Sequence, residues 1–194
     1  MSKSDPSVSK KERNKTIRWV ITIFFVTIVV SGTSSFTSDL LMANSSMLVA
    51  FIILLAIVLI GILFDIIGVA VTSADERPFH SMAARKVPGA QESIRLLRNA
   101  ERVSSICNDV VGDICGVVSG SASATIAAQV LKNFELSLEN VIPLVMSALV
   151  AGLTVGGKAI GKTFAIQSCT NIVHSVGKIS WVFHHFPQKM KKRK

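Results

Sequence analysis

Two aspartates, Asp109 and Asp113, lie one helical turn apart in a stretch of otherwise membrane-like composition, SSICNDVVGDICGVVSGSASATIAAQVL (104–131). Inside hydrocarbon a carboxylate is costly, and it normally faces other helices or a cavity. The same stretch sets small or short polar residues every fourth position: Ser104, Asn108, Gly112, Gly116, Gly120, Ala124 and Ala128. Such a pattern lets a second backbone come close, so Gly112, Gly116 and Gly120 are expected to pack helices together. A third acid, Asp65, is the sole charge in the apolar run 47–74, and Lys158 interrupts another apolar run, 141–166. At about 1.5 Å of helical rise per residue, Asp65, Asp113 and Lys158 each lie roughly 13 Å from the same membrane face, with Asp109 shallower.

Three chemistries follow from that placement. Asp65, Asn108, Asp109 and Asp113 could form an oxygen-rich site for a hard cation such as magnesium. Lys158 could instead neutralise one of the acids in a structural ion pair. Desolvation could also keep some of the acids protonated. The residues alone leave the first two open.

The elements that must position these groups are membrane helices. Only 17% of the 194 residues are charged and 49% are hydrophobic, low and high respectively for a soluble domain. The run 47–74 exceeds the ~20 residues needed to cross hydrocarbon. Further spans are expected at about 17–31, 104–131 and 141–166, with Pro143 in the first turn of the last and Asn140 capping it. Between the second and third spans, Pro88-Gly89 breaks a polar stretch. Ala90, Ile94 and Leu97 then recur at helical spacing opposite arginines, the pattern of an amphipathic helix on the membrane surface. The reading is an all-α integral membrane protein: four transmembrane helices with an amphipathic juxtamembrane helix. Residues 1–16 read as a basic, disordered tail. Residues 17–46 read as the first span and an outer loop from Gly32, 132–140 as a second outer loop, and 176–194 as a basic interfacial tail.

The net charge of +9 is clustered before the first span, between the second and third, and at the C-terminal end. Positive-inside topology accounts for all three clusters and puts both termini in the cytoplasm of a multi-pass cell-membrane protein. With no aromatic interleaving or nucleic-acid motif, no nucleic-acid partner is expected. No nucleophile–base arrangement stands out, so enzymatic activity is not expected either. The expected partners are the lipid bilayer, a second copy of the chain through the small-residue faces, and a divalent cation.

Three segments resemble the membrane domain of the CorB/CorC and cyclin M transporters of magnesium and cobalt. Leu63-Phe64-Asp65 through Ala70 to Ser73 is similar to that family's F-F-S-G-S-E-x-A-L. Ile94 to Ser105, IRLLRNAERVSS, is similar to L-L-x-x-P-x-R-L-L-S-T, and Gly157 to Ala165, GKAIGKTFA, to G-E-x-x-P-K-x-L-A. The resemblance covers about residues 47–175 and implies three spans that begin outside, as charge already suggests. It also implies an ion held by serines of the family's first helix, an asparagine of its second and backbone oxygens at the G-E-x-x-P break. Carried over, Asp65 replaces the first serine, Ile67 falls at the second, and Asn108 is the nearest asparagine. Gly157 and Gly161 fall at the break, where the last span would unwind and offer carbonyls. Lys158 stands where the family has glutamate, and Gly161 where it has proline. The nucleotide-sensing CBS and CorC-type domains have no counterpart in this sequence, so regulation by ATP is not expected. The implied function is transport of a divalent cation, magnesium or cobalt. The alternative is a non-transporting membrane protein that binds or regulates a partner, its charges paired for assembly.

Overall fold

The structure is a computed structural model that describes residues 6–43, 45–134 and 141–191. Four long helices have the length and composition to cross a membrane. They are α1 (Pro6–Ala43), α2 (Met47–Ser73), a composite third helix and α7 (Val141–Gln167). The composite helix is built from α5 (Ala100–Ser105), a π-helical stretch (Ile106–Gly112) and α6 (Asp113–Phe134). Short helices α3 (Arg77–Ala84) and α4 (Ala90–Arg98) link α2 to α5, and α8 (Cys169–Lys191) follows α7. No strand occurs among the described residues. The chain is thus an all-α integral membrane protein with four transmembrane helices and an amphipathic juxtamembrane helix, α4.

Two expectations for the N-terminal region are corrected. Residues 32–43, read as a loop, continue α1 as helix. The reason is local: Thr33 and Thr37 donate their hydroxyls to the carbonyls of Val29 (2.7 Å) and Thr33 (2.8 Å), and Ser38 is buried. Hydroxyls that bond back to the preceding turn let a polar sequence remain helical in an apolar setting. The basic segment expected to be disordered is helical from Pro6, a residue suited to a first helical turn. Of the second outer loop, 132–134 belong to α6, while 135–140, including Asn140, lie outside the described residues, as do Asn44 and 192–194.

α2 is the central element. Its buried stripe, Ala50, Leu54, Val58, Gly61, Asp65 and Gly68, advances by threes and fours along one face. The N-terminal part, Ala50, Leu54 and Val58, joins Ala122 and Ile126 of α6 in one apolar cluster. At the other end Ala70 and Val71 join Phe79, Ile94, Leu97, Ala165 and Val173 in a second. Between these clusters the stripe carries two glycines and the aspartate. α7 closes against the same region. A Cβ on Gly157 would collide with Ile62, and one on Gly161 would stand 2.8 Å from Ile66.

The basic end of the bundle carries a collar of α3, α4 and α8. α3 ends in a Schellman turn, with the Lys86 N–H on the Ala83 carbonyl (2.9 Å) and the Val87 N–H on that of Met82 (3.0 Å). Lys86 takes the left-handed position (φ 57°) that usually holds glycine, at a cost of about 1–2 kcal/mol. Gly89, also left-handed (φ 87°), opens α4. As expected, Ala90, Ile94 and Leu97 face inward, and Arg95 and Arg98 outward. α4 and α8 cross through the fully buried Ser93, whose hydroxyl proton lies between the carbonyls of Gly89 (3.0 Å) and Val173 (3.2 Å). Gly177 of α8 sits on this crossing. Glu92 is buried beside Arg95, with Oε2 3.0 Å from Nη1. That contact counts as an ion pair but is off-axis for a hydrogen bond, which leaves the same oxygen without an aligned donor.

Candidate functional site

The site lies where α2, the π-helical stretch and α7 meet, between the two apolar clusters. Three close approaches fix the levels. Gly61 faces Cys115, where a Cβ would stand 2.9 Å from the cysteine Cβ. Gly68 faces the side-chain amide of Asn108, which occupies the space a Cβ would need. Asp65 lies between these glycines on the buried stripe of α2, so it stands level with the π-helical residues near Gly112. A methyl on Gly112 would in turn stand 3.5 Å from Lys158 Nζ. Asp65, Gly112 and the Lys158 ammonium therefore share one level of the bundle, with Asn108 about one turn nearer the collar.

Asp65 is only 5% exposed, and its Oδ2 has no hydrogen-bond partner. Asn108 Oδ1 is likewise buried without a donor, while its Nδ2 donates to Ser104 Oγ at 3.3 Å. Two orphaned acceptors about one turn apart inside the bundle are expensive, because nothing replaces the water they lost. Lys158 stands at the level of Asp65 but joins no ion pair. The pairs among the described residues are Arg77–Asp75, His80–Glu76, Arg95–Glu92 and Arg98–Glu76, all in the collar. A Lys158–carboxylate bridge, one of the two readings the sequence left open, is thus not formed at 4.0 Å or less among the described residues.

The other predicted ligands divide differently. Asp109 and Asp113 are exposed on the outer face of the third helix. Asp109 accepts a hydrogen bond from Ser105 Oγ at 2.6 Å. Among the described residues, no three of His, Cys, Asp and Glu come together as a metal-holding group, so the three aspartates do not converge within one chain. Gly157 and Gly161 lie in a helix that runs unbroken from Val141 to Gln167, with their carbonyls inside its ladder. The unwinding expected there does not occur. Their role in the fold is close packing on Ile62 and Ile66.

The small-residue stripe also divides. Asn108 and Gly112 face inward, whereas Gly116 and Gly120 are exposed with nothing within 4 Å of an added Cβ. The π-helical stretch, which ends at Gly112, shifts the register between Gly112 and α6, as its hydrogen bonds span five residues. Ile114, Val118, Ala122 and Ile126 take over the buried face of α6.

Sequence reasoning missed the π-helical stretch, Ser104 as the partner of Asn108, and the placing of Gly61 and Gly68 around Asp65. The last was legible, since the spacing 61–65–68 puts all three on one helix face. A cavity of about 430 Å³ opens between α1, α2 and α6 in the half of the bundle away from the collar. Its lining is mostly apolar but includes the hydroxyl residues Thr33, Ser34, Thr37 and Ser38, together with Cys115. Comparison of the chain with protein-family models, curated proteins and solved structures returned no match.

Proposed function

We propose that this protein carries a divalent cation, magnesium in the first instance, across the cell membrane, with Asp65 and Asn108 as the core of the ion path. The carrying observation is the buried carboxylate oxygen of Asp65, unpartnered in the middle of a membrane bundle, with a second unpartnered oxygen on Asn108 about one helical turn along α2. An intramembrane acid in that state calls for a cation or a proton donor. Magnesium suits such a sparse donor set, because it keeps several of its waters and takes one or two carboxylates. The π-helical stretch supports the reading, as such insertions recur at functional sites. The hydroxyl-bearing cavity one turn further out, bounded by Cys115, supports an approach from the opposite side to the collar. The reading agrees with the CorB/CorC resemblance and shifts the weight within it, from Asp113 to Asp65. Both termini lie in the cytoplasm under this proposal, by the distribution of basic residues.

A second copy of the chain completes the assembly. Asp109 and Asp113 share the outer face of the third helix with Gly116 and Gly120, and lipid alone is a poor neighbour for two carboxylates. A partner helix can approach the glycines closely and shield the acids. Gly116→Leu with Gly120→Leu is expected to turn the dimer into a monomer, read by stepwise photobleaching of singly labelled protein in nanodiscs. Single-step bleaching of the unaltered protein would remove the dimer.

The alternative, a non-transporting protein whose charges serve assembly, draws on Lys158 standing at the level of Asp65. A double-mutant cycle of Asp65→Asn and Lys158→Met separates the readings. With no bridge at 4.0 Å or less, the coupling in thermal unfolding is expected to stay below about 1 kcal/mol. A coupling of about 2–3 kcal/mol would favour the structural pair.

A further inference from the structure

At the collar, a cleft of about 230 Å³ separates the α3–α4 turn from α8. Lys86, Gln91 and Trp181 line it together with Val87 and Pro88, so it combines a cation, an amide donor and apolar surface. No acidic side chain lines it among the described residues. The Lys178 backbone of α8 rests on Gly89, another residue of the cleft wall, and so closes that side of the cleft. The unusual member is Lys86. It occupies the left-handed position of a Schellman turn, which glycine fills without strain. A lysine there costs stability, and its ammonium is the charge that the turn brings to the cleft. Backbone strain held at a surface site is a reason to look for a ligand. The surroundings define that ligand. The cleft lies at the end of the bundle where α2 and α7 leave the apolar layer, and tryptophan side chains favour the headgroup level.

We propose that this cleft holds the phosphate of an anionic phospholipid headgroup, with Lys86 and Gln91 on the phosphate and Trp181 against the glycerol and upper acyl region. The site is independent of the cation path, and it stands whether or not the protein transports an ion. Lipid rather than a soluble phosphate is the favoured source, because Val87, Pro88 and Trp181 give the cleft an apolar wall.

The two tryptophans of the chain, Trp19 and Trp181, make the test direct. In a Trp19→Phe background, Trp181 reports on neighbouring lipid through quenching by chains brominated near the headgroup. The full chain in nanodiscs is expected to show quenching by brominated phosphatidylglycerol about fivefold more effective than by brominated phosphatidylcholine. Lys86→Gly is expected to bring that ratio to about one while melting at or above the unaltered protein, and Lys86→Arg to keep the preference. A melting temperature that rises as lipid selectivity disappears is a signature a merely structural lysine would not give. Equal quenching by the two lipids in the unaltered protein would overturn the proposal. So would a preference that survives Lys86→Gly, or one abolished by millimolar inorganic phosphate, which would assign the cleft to a soluble phosphate compound.

Discussion

Asp65→Asn is expected to bring divalent-cation uptake in proteoliposomes down to the level of empty vesicles. The substitution keeps shape and removes one charge from the only buried carboxylate in the site layer. Loss of a charged partner from a buried ion site costs about 3 kcal/mol or more, which is about a hundredfold in affinity. The same change predicts the opposite sign for stability. The aspartate oxygen now has no donor, and neither has Asn108 Oδ1. An amide at position 65 carries less desolvation cost and brings N–H donors to the layer. Its melting temperature is therefore expected to hold or rise, so loss of uptake would not be loss of fold. Asp113→Asn, on the exposed face, is expected to retain most of the uptake. The decisive measurement is magnesium flux from both variants in parallel. Full uptake by Asp65→Asn, or loss confined to Asp113→Asn, would return the site to the outer face and overturn the proposal.

The contrast between these two aspartates explains how far the sequence could be read. The spans and the juxtamembrane helix were legible because long apolar runs and a 3–4 periodicity leave few alternatives in a membrane. Asp65 was legible as an intramembrane acid, and its spacing from Gly61 and Gly68 contained its orientation. Asp109 and Asp113 looked equally internal, because a stripe of small residues at intervals of four resembles one packed face. The π-helical register shift undid that, and no local residue signal announces it. The break expected at Gly157 and Gly161 failed for a different reason. Glycines permit unwinding but do not compel it, and without proline the ladder of α7 stays intact. The extension of α1 past Gly32 was hidden by a polar composition that side-chain hydroxyls satisfy within the helix.

Gly177→Val is expected to cost about 3 kcal/mol of stability in the collar. A Cβ at Gly177 would collide with Ser93 Oγ and stand 2.7 Å from the Gly89 carbonyl oxygen and 2.9 Å from the Ser93 nitrogen. Two of these obstacles are backbone, so no rotamer change relieves them. α8 would have to lift from α4, and the Ser93 hydroxyl would lose its bond to Val173 across the crossing. Overpacking of this kind costs about 1–3 kcal/mol, and a buried hydrogen bond about 1 kcal/mol more. A total near 3 kcal/mol corresponds to a melting temperature lower by about 10 °C for a chain of this length. Ser93→Ala removes the hydroxyl without adding volume and is expected to cost only about 1 kcal/mol. Gly32→Ala, with nothing within 4 Å of an added Cβ, supplies the control: it is expected to be neutral or to stabilise α1 by up to about 1 kcal/mol. Thermal unfolding of the three variants in one detergent ranks them. An unchanged melting temperature for Gly177→Val would mean that α8 does not rest on α4 through this crossing. Where α8 does lift from α4, the cleft between the α3–α4 turn and α8 loses its second wall. The lipid-quenching ratio at Trp181 should therefore fall together with the melting temperature in Gly177→Val, while Gly32→Ala leaves both in place.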